Sequence, residues 1–212
     1  MTINDGWDVA HLLMHSSLDE LGSAHSLHED ISKIDIDATE ETECFMLSPK
    51  VESIDNSIKK HLVKSVVLFQ AGMEAVIHWA QSIDSSIPQS RSFSKKWENA
   101  FIAKGSHYDF SPYKSFYENY RIHIVHPDRD ERFKTINDLS FTDVYEGIQN
   151  GWLAYAALSD VIGFKHDEDS WHVMCRAHQL PTSITVLNYP CPHEVIRSLN
   201  LKYRSYLNRL NT

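Results

Sequence analysis

SPKVESIDNSIKKHLVKSVVLFQAGMEAVIHWAQS, residues 48–82, is the longest periodic stretch of the chain. Apolar side chains fall at Ile54, Ile58, Leu62, Phe69, Met73, Ile77 and Ala80, in steps of three and four with one double step. Those intervals return side chains to one face of an α-helix over about eight turns. Ser48-Pro49 supplies a start signal. Serine is a favoured N-cap, and proline suits the first helical position, where its missing N–H has no partner to lose. The stretch therefore predicts one long amphipathic helix ending near Ser82.

Working outward, residues 90–103 carry Phe93, Trp97 and Phe101 at four-residue spacing, with Gly105 as a stop. Ser111-Pro112 repeats the start signal and opens an aromatic stripe of Tyr113, Phe116, Tyr117, Tyr120 and Ile124, closed by Pro127. Residues 128–138 are charged and read as a loop. Ser140 or Thr142 caps a further helix with Val144, Ile148, Trp152, Tyr155 and Ile162 inward and Gly163 at its end. Residues 182–186 form a β-branched run that suits one strand, and residues 192–210 read as a last helix carrying Arg197, Lys202, Arg204 and Arg209. Upstream, Val9, Leu12, Leu13 and Leu18 suit one short helix over residues 8–21, and residues 30–43 read as linker. The expected fold is mainly all-α. A bundle of four to five helices spans residues 48–163, an acidic N-terminal extension covers residues 1–47, and a C-terminal extension over residues 164–212 packs on the bundle with room for one short strand or hairpin.

Composition agrees with a packed core. Of 212 residues, 42% are hydrophobic and 23% charged, which excludes wholesale disorder. Seven Gly and seven Pro are too few for a turn-rich β-sandwich. There is no apolar run of about 18 residues, so no membrane association is expected. Residues 1–10 lack the basic and apolar stretches of a secretory signal, and three scattered cysteines do not make a disulfide framework. The expected compartment is the cytoplasm. The net charge of −9 belongs to residues 1–50, which hold eleven acids and two bases. The remainder is neutral and therefore compatible with a polyanionic partner.

The third helix ends Tyr120-Arg121-Ile122-His123-Ile124-Val125-His126-Pro127. Arginine stays charged and its planar fork suits phosphate oxygens, while an imidazole titrating near neutrality can move protons. An Arg and a His five positions apart at a helix terminus, behind a long helix containing Gly72-Met73-Glu74-Ala75, resemble the HEPN superfamily of all-helical domains over residues 50–163. The resemblance implies a metal-independent endoribonuclease, with Arg121 and His126 as the catalytic pair and no cofactor. It implies attack by the RNA 2′-OH, a 2′,3′-cyclic phosphate product and a site completed across a homodimer. A toxin or antiviral role, restrained by an antitoxin or regulatory protein, follows from the same resemblance. Two positions depart from the family pattern. Ile122 stands where a small polar residue is common, and Asp128 where some toxins carry a modifiable tyrosine. On an ideal helix the two motif side chains also point about 140° apart.

His123, Glu118, Asn119, Tyr120 and Glu74 are the supporting candidates. The residues also allow a structural role, in which Arg121 pairs with Glu118 or Glu74 and His126 caps the helix end. A non-catalytic HEPN-like dimeric module that binds RNA or protein is the alternative function. The acidic residues 1–47 suggest an arm lying over a basic cleft, whose deletion would raise activity. Cys175, His178, Cys191 and His193 can be drawn as a zinc site, though their spacing matches no common finger. The chain has no Gly-rich phosphate loop, no Gly-x-Ser-x-Gly elbow and no His-Glu-x-x-His pair.

Overall fold

The computed structural model describes residues 3–125, 129–164, 170–184 and 189–210, with side chains from residue 6 onward and, beyond 125, from residue 134. Two long helices form its spine: α1 (Ile3–Ser32) and α2 (Cys44–Ile83). They run antiparallel, as the order of their contacts shows. The Trp7 and Trp79 ring centres lie 4.6 Å apart at a tilted angle, and further along α1 Glu20 reaches His61. Midway, Ser17 Oγ donates to Ser65 O and Ser65 Oγ donates to Ser17 O, each at 2.8 Å and fully buried. A reciprocal hydroxyl–carbonyl pair has one register only, so it pins the two helices lengthwise. Gly72 lets them approach, because a Cβ there would lie 2.5 Å from Met14 Cγ and 3.1 Å from Ala10 O.

This pairing corrects the reading of residues 1–47 as an appendage. Trp7, Ala10, Met14, Leu18, Leu21, Ala24 and Ile31 are all buried in the common core. The expected helix over residues 8–21 is less than half of α1. The α2 start differs too. The helix begins at Cys44, four residues before Ser48, with Glu43 as N-cap, and Pro49 sits inside it. Pro49 cannot donate to the carbonyl four residues back, a loss confined to the second turn.

The rest of the chain wraps this spine. Helix α3 (Phe93–Ala103) buries Phe93, Trp97 and Phe101, and Gly105 follows at φ +66°. Helix α4 (Ser111–Phe116) passes through one π turn (Tyr117–Arg121) into α5 (Ile122–Val125). The charged segment expected as a loop is helical at α6 (Arg129–Asp138). Its Ile136 packs against the core; with only Phe133 and Ile136 apolar among ten residues, the segment gives almost no periodic signal. Helix α7 (Phe141–Ile162) starts at a Ser140–Asp143 capping box and ends at Gly163, φ +82°. Gly147 and Gly151 let α7 nest against α4 and α2, since a Cβ at Gly151 would stand 2.3 Å from Phe69.

Helix α8 (Trp171–Ala177) and helix α9 (Pro192–Leu210) complete the fold. The last helix has the predicted bounds. Its Lys202 Nζ donates to Ile36 O and Asp37 O in the α1–α2 turn. The strand expected at residues 182–186 is not present in its described part, residues 182–184; the remainder lies outside the described residues. The protein is thus mostly helical, with no strand among the described residues and more helical segments than the four or five expected. No described helix is long and apolar enough to cross a membrane.

Candidate functional site

The helix from Ser111 to Val125 carries the Arg-His motif, and buried aromatics fix its position. Tyr113 and Phe116 pack into the core, and Ile124 anchors the far end. Between them the backbone widens: Ile122 N–H donates to Tyr117 O, five residues back. Such π turns are rare and shift the angular relation of flanking side chains. This one ends on Arg121.

Arg121 is held from α2. Its Nη2 donates to Glu74 Oε1 at 3.2 Å, and its guanidinium lies 5.6 Å from the Tyr117 ring centre. The same Glu74 oxygen accepts from Gln70 Nε2 at 3.0 Å, and Gln70 Oε1 accepts from the Tyr113 hydroxyl at 2.9 Å. Burial, reinforced by the Glu74 carboxylate, pushes the Tyr113 phenol far above its usual range, so it stays a neutral donor. A single relay, Tyr113–Gln70–Glu74–Arg121, therefore runs from the core to the surface. Arg121 is 20% exposed and Glu74 40%. Of the two acids considered as partners, Glu74 takes the arginine, and Glu118 is exposed.

Asn119, Tyr120 and His123 of the same helix face Lys134, Thr135 and Asp138 of α6 across an open cleft of about 360 Å³. Burial raises the Tyr120 phenol above its usual value, as does the negative Asp143, to which its hydroxyl is hydrogen-bonded. His126 and Asp128 lie outside the described residues. The structure therefore brings Arg121 to Glu74, and gathers Asn119, Tyr120 and His123 around a cleft with Lys134.

The four residues drawn as a zinc site are not brought together. Cys175 is buried beside the Tyr145 hydroxyl at 3.6 Å, and burial raises its thiol. His178 lies between α1 side chains, and Cys191 is exposed at the α9 entrance. Among the described residues no group of three His, Cys, Asp or Glu side chains has metal-binding geometry. The placement follows from Tyr145, which gathers Cys175, Trp171 Nε1 and Pro181 O around its hydroxyl.

The sequence also gave no warning of a histidine chain on α1. His178 Nδ1 lies 2.6 Å from Asp19 Oδ1, and His178 Nε2 lies 2.9 Å from His15 Nδ1. One turn away, His11 hydrogen-bonds the Tyr155 hydroxyl. The only available signal was the four-residue stepping of His11, His15 and Asp19. Their partners stand more than 140 positions later in the chain. No protein-family model, curated protein or solved structure matches the chain.

Proposed function

We propose that the protein is a metal-independent endoribonuclease of the HEPN kind, with Arg121 and His126 as the reacting pair in a homodimer. The observation that carries this reading is the placement of Arg121: it ends a π turn on the motif helix, stays partly open to solvent, and is oriented by Glu74 and Tyr117. A pre-oriented guanidinium stabilises charge developing on phosphorane oxygens without reorganising first. In the proposed reaction an imidazole takes the 2′-OH proton, the 2′ oxygen attacks phosphorus, and the 5′ oxygen leaves with a proton returned to it. The products are a 2′,3′-cyclic phosphate and a 5′-hydroxyl, and the balance needs no metal. Asn119, His123 and Lys134 offer donors to the same strand from the adjoining cleft. A toxin or antiviral role under an inhibitory partner is part of the same proposal.

A second reading rests on the Arg121–Glu74 ion pair. If the arginine serves only to fasten the motif helix to α2, the protein is a non-catalytic dimeric module that binds RNA or protein. Single-stranded RNA incubated with the protein in EDTA separates the two. The nuclease reading requires cleavage to cyclic-phosphate ends that is lost in both Arg121→Ala and His126→Ala. The binding reading requires retention of RNA without cleavage.

A further inference from the structure

The core beneath Arg121 holds two polar side chains that packing alone does not call for. Gln70 and Tyr113 are each only 2% exposed, and the Tyr113 ring lies among Phe69, Phe93, Phe110 and Phe116. The phenol and the amide hydrogen-bond each other, and the amide passes the contact on to Glu74 and so to Arg121. Buried polar groups are costly unless their bonds are made, and apolar side chains of the same shape would fill the space as well.

These bonds run in one direction only. Turned over, the Gln70 amide would present Oε1 to the Glu74 carboxylate, an acceptor facing an acceptor. The carboxylate therefore takes the NH2 end at 3.0 Å, and Gln70 Oε1 is left to accept from the Tyr113 hydroxyl at 2.9 Å. Glu74 uses one oxygen, Oε1, for both Gln70 and Arg121. Glu74 is 40% exposed, and an ion pair so open to water is weak and leaves both long side chains mobile. The buried amide supplies the fixed point that the pair lacks. The backbone matches it. Gln70 and Glu74 stand one turn apart on α2, whereas Tyr113 and Arg121 stand eight residues apart, and eight residues of regular α-helix overshoot two turns by about 80°. The wider π turn at Tyr117–Arg121 takes back part of that overshoot and returns Arg121 toward the side that Tyr113 presents to α2.

We propose that Gln70, its amide aimed by Tyr113, is a positioning residue for Arg121: it holds the Glu74 carboxylate in the one rotamer that presents Oε1 to the guanidinium. Arg121 is placed by these bonds whatever the reaction, while the consequence for catalysis rests on the nuclease reading. A guanidinium held in place beforehand stabilises charge developing on phosphorane oxygens, and a mobile one must first be ordered.

Gln70→Met/Tyr113→Phe tests it. Replacing both partners by apolar groups of similar shape strands neither of them, so the variant is expected to fold. Ile31→Val, a core change near the end of α1, is the control for lost stability alone. Phenylglyoxal treatment of the folded proteins, read by peptide mass spectrometry, gives the rate of modification at Arg121 relative to the exposed Arg204. The double variant is expected to raise that relative rate several-fold, and Ile31→Val to leave it at the wild-type value. Tyr113→Phe alone keeps the Gln70–Glu74 bond and is expected to give a smaller rise. An unchanged rate in both relay variants, or an equal rise in Ile31→Val, overturns the proposal. This readout needs no RNA, so it decides the placement of Arg121 even where the wild type cuts nothing, a result that would sink the nuclease reading instead. In the cleavage assay the double variant is expected to lose about tenfold or more in kcat while KM stays within about twofold. A loss confined to KM, or no loss, also overturns the proposal.

Discussion

Acid should destabilise this protein through one residue in particular. His28 has its ring buried against Tyr189 and Phe141 and an Nδ1 with no hydrogen-bond partner among the described residues, and burial lowers its pKa from 6.5 to about 4. The neighbouring Asp55 pulls in the opposite direction and His25 in the same one. Between these two values the unfolded chain binds a proton that the folded protein refuses, so stability rises with pH and falls as pH is lowered. Each unit of difference is worth about 1.4 kcal/mol, which makes the full effect about 3 kcal/mol below pH 4 and about 2 kcal/mol at pH 5. The assay is urea unfolding of wild type and His28→Phe at a series of pH values from 7 to 5. Phenylalanine keeps the stack on Tyr189 and removes the titration. The His25 imidazole, also lowered by burial, and the Glu20 carboxylate, held down by His61 and Lys64 against its own burial, are common to both proteins and cancel in the comparison. Wild type is expected to lose about 2 kcal/mol more than the variant between pH 7 and pH 5. Parallel stability curves would refute the reasoning, because the folded state would then accept the His28 proton.

Other substitutions probe the packing and the relay. Deleting residues 1–32 removes a core helix, so circular dichroism should show loss of the cooperative fold, and the gain in activity expected of a detachable acidic arm should not appear. Gly151→Val drives a side chain into Phe69 and Tyr113 and is expected to cost about 1–3 kcal/mol or more in urea unfolding, despite the better helix propensity. Gln70→Leu strands the buried Tyr113 hydroxyl and should cost about 1–3 kcal/mol. Adding Tyr113→Phe should recover part of that loss in a double-mutant cycle. Glu74→Gln breaks an ion pair with considerable exposure, so its stability effect should stay within about 1 kcal/mol, measured the same way.

Helices whose apolar residues are large were legible in advance. The body of α2 and the Phe93-Trp97-Phe101 face of α3 follow from periodicity, Ser140 stood as one of two candidate caps for α7, and α9 has the expected bounds. Helix α1 was not, because its buried stripe includes Ala10, Ala24 and His28, and its outer acids dominate the composition. Small residues mark close helix approach as much as weak burial, and the sequence alone does not distinguish the two. The Ser48-Pro49 signal misled for a related reason: α2 continues back to Cys44 because Cys44 itself is buried, outweighing one missing backbone bond.

At the candidate site, the Arg121–Glu74 pairing stood among the sequence alternatives, since both residues are charged and near helical faces. Gln70 and Tyr113 did not, because a buried amide and a phenol look like core filler until their hydrogen bonds are seen. The Asp19–His178–His15 chain was invisible for a topological reason: it joins α1 to the end of α8 across most of the sequence.

The central claim concerns the Arg121 and His126 pair, and cleavage of end-labelled single-stranded RNA in EDTA tests it most directly. Wild type is expected to give fragments ending in 2′,3′-cyclic phosphate, and Arg121→Ala or His126→Ala proteins that unfold at the wild-type urea midpoint are expected to give none. Undiminished cleavage by either variant, or intact RNA with the wild type, would contradict it.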